Sequence, residues 1–402
     1  MIIDRDFLPL IERAGTMVNG GRAPVHPASI ALLNDISRTL LSAPTARRIP
    51  HLVALGYWLR AASVARLCQE LESAAATEGV ILAPRGLALH LPPTNVETLF
   101  IYSWALSVLA GNCNIVRLPS EQSEELEWLV LLIEERLRAH GEEGRHVFSS
   151  FAYDGPENDE LSSFADLRMI WGGDEKVNSV SRTPIRPDGL SIGFPTRTSI
   201  AVISTEQYRT ADDKCRTQLA AMLFNDMYWF DQLGCGSPRV LFWIGDPGEV
   251  ANDLFERLTA EIKLRHHQAE TSTAVAKFRL MNDLLASGTA KRARRFHPAL
   301  DVVEADDPEQ IALYGQGGGF LSQITIDTID QIAKFATRRL QTIAHFGVPV
   351  EELRRLGSAI AGRGGYRIVP IGQALQFDAL WDGVPLLTHM TRRIRITHNF
   401  IN

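Results

Sequence analysis

Cysteine is scarce in this sequence, and none of it occurs in a paired motif. The four cysteines, Cys68, Cys113, Cys215 and Cys235, show no C-x-x-C spacing and no neighbouring histidine. This arrangement argues against a zinc site and against a disulfide framework. Each cysteine therefore has to be interpreted alone, either as a small core residue or as a reactive thiol.

Long apolar segments and long basic segments are missing as well. No stretch approaches the ~18 uninterrupted apolar residues that a membrane span needs. The first six residues carry acids where a signal peptide would be basic. The net charge is -6, and basic residues cluster only briefly, as at 291–295 and 392–393. We therefore expect a cytoplasmic protein that binds neither membranes nor nucleic acid.

The residues that are present suit a globular protein of two domains. The chain has 402 residues, of which 45% are hydrophobic and 22% are charged. Apolar residues at helical spacing predict helices over about 32–41 and 51–71. From residue 81 onward, short apolar strands alternate with amphipathic helices, which predicts an α/β fold with largely parallel sheets.

The individual elements follow from these apolar runs and from the turn residues between them. Strands are predicted at 86–91, 114–118, 167–171, 199–204 and 239–244. Helices are predicted at 95–110, from a cap at Ser120, from about 174, at 208–228 and within 247–285. Residues 181–197 are predicted to be a loop at the domain crossover, and the glycines of 315–319 a flexible loop.

Cys235 lies between two glycines, just before a predicted strand, in the segment F-D-Q-L-G-C-G-S-P-R. Glycine lets the backbone turn tightly and leaves the sulfur accessible from both sides, which suits a nucleophile. The alternative is an inert core cysteine, since free cysteine is among the most buried residue types. The other three cysteines lie on predicted helices or at a strand start, where we interpret them as structural.

Two turns after predicted strands carry further candidates. Asn95 follows a Pro-Pro-Thr turn and opens a helix, so its amide can stabilise a tetrahedral oxyanion or simply cap that helix. Gly172 and Gly173 precede a helix, so their backbone can admit a cofactor phosphate or nicotinamide, or can form an ordinary turn. No G-x-G-x-x-G motif occurs at the dinucleotide position.

Taken in order, these segments resemble the aldehyde dehydrogenase superfamily and, more narrowly, the LuxC family, the fatty acyl reductases of bacterial luminescence and their relatives. The similarity spans nearly the whole chain. The matching residues are 58–60, 86–96, 109–112, 115–117, 171–174, 225–226, 230–232, 235, 341–343, 381–383 and 386–387.

The resemblance implies a fold of two three-layer α/β domains with additional N-terminal helices. A Rossmann-like cofactor domain is expected over residues 1–200 and a catalytic domain over 201–380. The segment 381–402 is expected to return to the first domain or to reach a partner in a homodimer.

The resemblance also implies roles for individual residues. Cys235 would accept the acyl group and Asn95 would donate to the oxyanion, with no metal involved. The implied cofactor contacts are Leu91, Pro92, Pro93, Thr94, Arg117, Ser120, Glu121, Gly172 and Gly173.

Two departures from the superfamily pattern refine this expectation. Hydrolytic members carry a glutamate that activates water on a strand corresponding to 199–204, and that strand has no carboxylate here. Without such a base, attack by water on a thioester is slow. In addition, the position of the usual ribose-binding lysine is Leu118, and Arg117 precedes it on the opposite face of the strand. Glu121 can bind ribose hydroxyls and would repel a 2′-phosphate, whereas the luminescence reductases are associated with NADPH.

We therefore predict reduction of an acyl thioester, on coenzyme A or a carrier protein, to an aldehyde through an acyl-cysteine. NADPH is the expected cofactor, with NADH as the alternative, and an acyl-activating or acyl-transferring enzyme is an expected partner. Two other functions stay open: an acyl-phosphate reductase of the same fold, and a noncatalytic subunit of a larger complex.

Overall fold

The computed structural model describes residues 7–76, 79–93, 96–305 and 317–397. The chain divides into two compact units. The first is formed by the residues up to Pro195 together with those from Phe377 onward, and the second by Thr196–Gln376. Parallel sheets with flanking helices form both units, which confirms the α/β fold class.

The first unit begins with helices, as the apolar spacing predicts. They are α1 (Phe7–Met17), α2 (Pro27–Ser42), α3 (Pro44–Arg47), α4 (Pro50–Trp58) and α5 (Ala61–Ala75). The single helix predicted over 51–71 is wrong, because Arg60 adopts an extended backbone conformation that separates α4 from α5.

A five-stranded parallel sheet lies at the centre of the first unit. Its strands are β2 (Leu87–Leu91), β3 (Cys113–Leu118), β4 (His146–Ser150), β5 (Leu167–Trp171) and β6 (Leu190–Phe194). The spatial order is β4-β3-β2-β5-β6. The chain therefore moves outward in one direction from β2 and then returns to its other side at β5, which makes the boundary between β2 and β5 the topological switch point.

Helices connect these strands, because parallel neighbours need a crossover connection. They are α6 (Phe100–Leu109), α7 (Glu124–Ala139), α8 (Pro156–Phe164) and α9 (Asp174–Arg182), with a 3₁₀ turn at Glu97–Leu99. The cap of α7 is Ser123, whose hydroxyl accepts from the Leu126 amide at 3.2 Å. The predicted cap at Ser120 is therefore wrong, and Ser120 lies exposed three residues earlier.

The end of the chain completes the first unit with small elements. They are β14 (Leu380–Trp381), β15 (Val384–Pro385), α16 (Leu386–His389) and β16 (Thr391–Arg395). Strand β16 pairs antiparallel with β1 (Val80–Pro84).

A seven-stranded sheet forms the centre of the second unit. Its strands are β7 (Thr198–Ser204), β8 (Pro238–Ile244), β9 (Arg292–His297), β10 (Leu300–Glu304), β11 (Phe320–Ile326), β12 (Leu340–Phe346) and β13 (Arg367–Pro370). The order is β13-β12-β7-β8-β11-β10-β9, and only β9 runs antiparallel to its neighbour. All the other pairs are parallel, so β7, β8, β11 and β12 begin at the same edge of the sheet.

The helices of the second unit cover both faces of this sheet. They are α10 (Thr205–Thr210), α11 (Asp213–Tyr228), α12 (Glu249–Leu264), α13 (Thr271–Ala286), α14 (Ile332–Phe335) and α15 (Val350–Ala359), with a 3₁₀ turn at Ile329–Gln331. The helix predicted over 208–228 is two helices, since Asp212 caps α11 through a bond from the Cys215 amide.

Strand β8 shows why the central strands are continuous apolar runs. Leu241 and Trp243 pack into the core on the face of α11 and α12, whereas Val240 and Phe242 pack on the opposite face with α14 and α15. A parallel strand covered on both faces needs apolar side chains at every position. This accounts for the reliable prediction of β8 from sequence.

Two loop predictions differ from the structure. The predicted loop 181–197 contains strand β6, whose pattern alternates between buried and exposed because it lies at the sheet edge. Of the glycines 315–319, the described residues 317–319 are buried and bonded to neighbouring backbone, so the prediction of a flexible loop is wrong there. Residues 315 and 316 lie outside the described residues. In the described part of the chain, no helix is both long and apolar enough to cross a membrane.

Candidate active site

Cys235 lies in the turn that joins α11 to β8, at the edge where the central parallel strands of the second unit begin. Its side chain is half-buried, in contrast to Cys68 and Cys113, which are buried. All four cysteines carry thiols rather than disulfides. Among the residues with described coordinates, no group of His, Cys, Asp and Glu side chains is arranged to hold a metal ion.

Gln232 fixes the shape of the cysteine turn. Its side chain is fully buried, and its amide nitrogen donates to the carbonyls of Pro238 at 3.0 Å and Phe320 at 3.2 Å. Its amide oxygen accepts from the Gly319 amide at 2.8 Å. These bonds hold Gln232 at a positive φ of 58°, a backbone conformation that non-glycine residues rarely adopt. The turn is therefore pinned to the starts of both β8 and β11.

The two glycines beside Cys235 were expected to allow a tight backbone turn, but the structure gives a different reason for them. Neither Gly234 nor Gly236 has a positive φ, so the left-handed conformation is not what requires glycine. A Cβ on Gly236 would lie 2.4 Å from the carbonyl oxygen of Ala374. A Cβ on Gly234 would lie 3.0 Å from the Leu375 side chain. Glycine is needed because the segment 372–375 packs directly against the turn.

Asp226 holds that packing segment in place. It lies on α11 with its side chain buried, and its carboxylate accepts from the amides of Gly372 at 2.6 Å and Ala374 at 3.0 Å. Burial raises the pKa of Asp226 to about 7, although bonds from the Gly372, Ala374 and Leu375 amides oppose the shift. The carboxylate thus links α11 to the segment that covers the glycines of the turn.

Ser199 and Arg239 complete the surroundings of Cys235. The Ser199 hydroxyl donates to the carbonyl of Cys235 at 2.6 Å and accepts from the Thr342 amide at 3.1 Å. Burial lowers the pKa of Arg239, and the electrostatic interaction with Cys235 opposes that shift. A guanidinium close to a cysteine favours the thiolate, which is the nucleophilic form. Sequence reasoning assigned no role to Arg239, although it lies only four residues after Cys235.

The first unit contains the residues predicted to contact a cofactor. Leu91 and Pro92 are buried at the carboxyl end of β2, and Pro93 is half-buried. Thr94 and Asn95 lie outside the described residues. Gly172 and Gly173 follow β5, so the structure places them at the same switch point as Leu91 and Pro92.

The cofactor contacts predicted at the end of β3 and just after it differ in their exposure to solvent. Ser120 and Glu121 are exposed, whereas Arg117 is only 7% exposed and donates from Nε to the Phe151 carbonyl at 2.6 Å. Lys176 on α9, which sequence reasoning missed, donates to the carbonyls of Leu91 and Pro92. Its sequence signal was its position four residues after Gly172, in the first turn of the following helix.

The fold belongs to the class of aldehyde dehydrogenases. An oxidoreductase from Marinobacter aquaeolei superimposes with a TM-score of 0.69 at 12% identity, covering 97% of this chain and 90% of the other. Betaine aldehyde dehydrogenase from Staphylococcus aureus, solved with NAD+, gives a TM-score of 0.68 at 12% identity, with coverages of 97% and 86%. An NAD-dependent aldehyde dehydrogenase from Sinorhizobium meliloti gives 0.67 at 12% identity, with coverages of 99% and 88%.

Within that class, the family is shown by a sequence model. The model of the LuxC acyl-CoA reductases matches residues 80–393. The chain therefore belongs to the LuxC acyl-CoA reductase family, and it is an oxidoreductase that acts on aldehyde groups. A comparison with curated protein sequences returned no match.

Proposed function

We propose that this chain reduces an acyl thioester to an aldehyde, with Cys235 as the covalent acyl acceptor and NADPH or NADH as the reductant. The observation that carries the proposal is the half-buried thiol in a turn held by Gln232 and Ser199, with Arg239 in electrostatic contact. A nucleophile benefits from such fixed geometry because less entropy is lost on reaching the reactive arrangement.

The reaction needs one bond formed and one bond broken at each stage. The Cys235 thiolate attacks the acyl carbonyl, and the carrier leaves as its thiolate, giving an acyl-cysteine. The side chain of Asn95 and the Cys235 backbone N–H are the proposed oxyanion donors. A nicotinamide cofactor, for which Leu91, Pro92, Gly172 and Gly173 are proposed contacts, would supply a hydride to the acyl carbon. The bond from carbon to the Cys235 sulfur then breaks, which releases the aldehyde and restores the thiolate.

The topology of the first unit supports binding of a dinucleotide there. Open α/β sheets bind ligands at the carboxyl ends of the strands beside the switch point. Leu91, Pro92 and Pro93 lie there, together with Gly172 and Gly173, whose turn opens α9. We assign these residues to the cofactor contact, so the first unit is the proposed cofactor domain and the second the proposed catalytic domain.

Strand β7 supports a reductase rather than a hydrolytic dehydrogenase. Its residues Thr198–Ser204 include no carboxylate, and Ser199 is already bonded to Cys235 and Thr342. Asp226, the buried carboxyl close in sequence to the turn, is bonded to segment 372–375. A missing general base slows hydrolysis by about 10²- to 10⁴-fold, which leaves time for reduction of the acyl-cysteine.

The proposal predicts a fixed stoichiometry in a simple assay. With acyl-CoAs of several chain lengths and NADPH or NADH, we expect equal amounts of free CoA, aldehyde and oxidised cofactor. Little carboxylic acid should form, because strand β7 has no carboxylate to activate water. The measurement combines thiol titration, absorbance at the reduced-nicotinamide band and trapping of the aldehyde by a hydrazine.

The same assay separates the alternatives. Acyl phosphates in place of acyl-CoA test for an acyl-phosphate reductase, which would release phosphate and aldehyde faster than acyl-CoA releases CoA. An acyl carrier protein is the third donor tested. Absence of aldehyde from every donor, together with no alkylation of Cys235 by iodoacetamide at neutral pH, would favour a noncatalytic subunit.

A further inference from the structure

Two cations lie together at the carboxyl edge of the first unit's sheet. Arg117 is at the end of β3, and Lys176 is in the first turns of α9. Both approach the ring of Tyr153: the guanidinium carbon of Arg117 lies 5.8 Å from its centroid and Nζ of Lys176 lies 5.6 Å from it. Lys176 is also the only lysine in the sequence up to residue 195 and from 377 onward.

Neither cation is neutralised by an ion pair in the described part of the chain. Arg117 bonds through Nε to the Phe151 carbonyl, and Lys176 bonds to the carbonyls of Leu91 and Pro92. An ammonium has three donors and a guanidinium five, so both retain donors for a ligand. The carboxylate of Asp154 interacts electrostatically with Arg117, but it is exposed and does not contribute to the shift of the Lys176 pKa.

Two partly buried cations so close together raise the free energy of the ligand-free protein. Burial, and then the charge of Arg117, lower the pKa of Lys176 to about 7. Burial likewise lowers the pKa of Arg117. Two like charges taken partly out of water are unfavourable unless an anion joins them. A bound dianion would remove both the repulsion and the unmet hydrogen-bonding capacity.

The position of Lys176 and Arg117 in the sheet indicates which anion they would bind. Lys176 contacts the residues that end β2 at the switch point, where α/β sheets bind dinucleotides. In such folds, a glycine turn and a helix N-terminus bind the pyrophosphate through backbone N–H groups, and Gly172 and Gly173 supply that turn here. An arginine near the ribose, in contrast, accommodates the additional phosphate of NADPH.

We propose that Lys176 and Arg117 bind the 2′-phosphate of NADPH and so set the cofactor preference of this chain. The inference rests on the proposed function only in assuming a nicotinamide dinucleotide. In this chain Leu118 occupies the position of the usual ribose-binding lysine, and the proposal assigns that role to a lysine of α9 instead. Glu121, which would oppose a 2′-phosphate, is exposed, and no ion pair or hydrogen bond in the described structure joins it to either cation.

The test is equilibrium binding to the full chain, measured by calorimetry without any acyl substrate. Wild type should bind NADPH more tightly than NADH, and adenosine 2′,5′-bisphosphate more tightly than AMP. Lys176→Met should weaken binding of NADPH and of the bisphosphate by on the order of 10- to 100-fold. Binding of NADH and AMP should change by less than about 3-fold. Arg182→Met is the matched control, because Arg182 is an exposed cation on the same helix.

Each other outcome overturns the proposal. Equal weakening of NADPH and NADH would assign Lys176 to the pyrophosphate, and no weakening would remove it from the site. Wild type without preference for the 2′-phosphate would also contradict it. Folding is checked by melting of the ligand-free variant at pH 7, and the variant must melt cooperatively above the temperature of the binding measurement, since it loses the bonds to the Leu91 and Pro92 carbonyls. If Lys176→Met does not fold, Lys176→Gln serves instead, since it keeps donors for the two carbonyls but removes the charge, and it should show the same selective loss of NADPH binding. Because no thioester is present, failure of Cys235 as nucleophile would leave these results unchanged.

Discussion

Replacing Cys235 with serine is expected to lower aldehyde formation from acyl-CoA by roughly 10³-fold or more. A serine hydroxyl is essentially never ionised at neutral pH, and the Ser199 hydroxyl and the Asp226 carboxyl beside the turn are already bonded to backbone groups. The proximity of Arg239, which favours a thiolate, does little for an alkoxide of far higher pKa. The measurement is the initial rate of CoA release and of NADPH consumption.

Cys215→Ser is the matched control for this substitution. Cys215 is another half-buried cysteine of the second unit, and it lies at the start of α11 rather than in the turn. Its replacement should leave the rate within about 2-fold of wild type, as is usual for a substitution away from reacting atoms. An active Cys235→Ser variant, or an inactive Cys215→Ser variant, would place the nucleophile elsewhere.

Replacing Gln232 with leucine is expected to destabilise the second unit by about 3 kcal/mol or more. The substitution removes three hydrogen bonds and leaves the Gly319 amide and the carbonyls of Pro238 and Phe320 without that partner in a buried site. Each buried polar group left unsatisfied costs about 1–3 kcal/mol. Urea denaturation followed by tryptophan fluorescence measures the change.

The control for Gln232→Leu is Gln268→Leu, at an exposed glutamine of the same unit. That variant should shift the unfolding free energy by less than about 0.5 kcal/mol. If Gln232→Leu unfolds at the same urea concentration as the control, the amide does not hold the turn. The variant should also lose activity before it unfolds globally, because the starts of β8 and β11 no longer position Cys235.

The strands were predictable because their signal is local. Continuous apolar runs mark β2, β3, β5, β7 and β8, since parallel strands covered on both faces must be apolar throughout. Edge strand β6 was missed because its alternating pattern, with Gly193 in it, is typical of a loop as well as of a strand. The choice between Ser120 and Ser123 as helix cap depends on which hydroxyl faces a backbone amide, and both serines precede a glutamate four residues later.

The supports of the candidate site could not be predicted, because they come from distant parts of the chain. Gln232 bonds to Gly319, 87 residues later, and Asp226 bonds to Gly372, 146 residues later. The glycines around Cys235 were identified correctly as unusual, but the reason lies in a neighbour, Ala374, that no local pattern reveals. Lys176 was missed for the same reason, since its contact with Leu91 spans 85 residues.

The central claim is that Cys235 carries the acyl group between thioester and aldehyde, and the mass of the intact protein tests it most directly. Wild type mixed with acyl-CoA, without reductant, should gain the mass of one acyl group. Digestion with trypsin should place that mass on the peptide 217–239, which contains Cys235 and excludes Cys215. NADPH should remove the adduct, and Cys235→Ser should never form it. An adduct on another peptide would contradict the account, and so would aldehyde formation without any adduct.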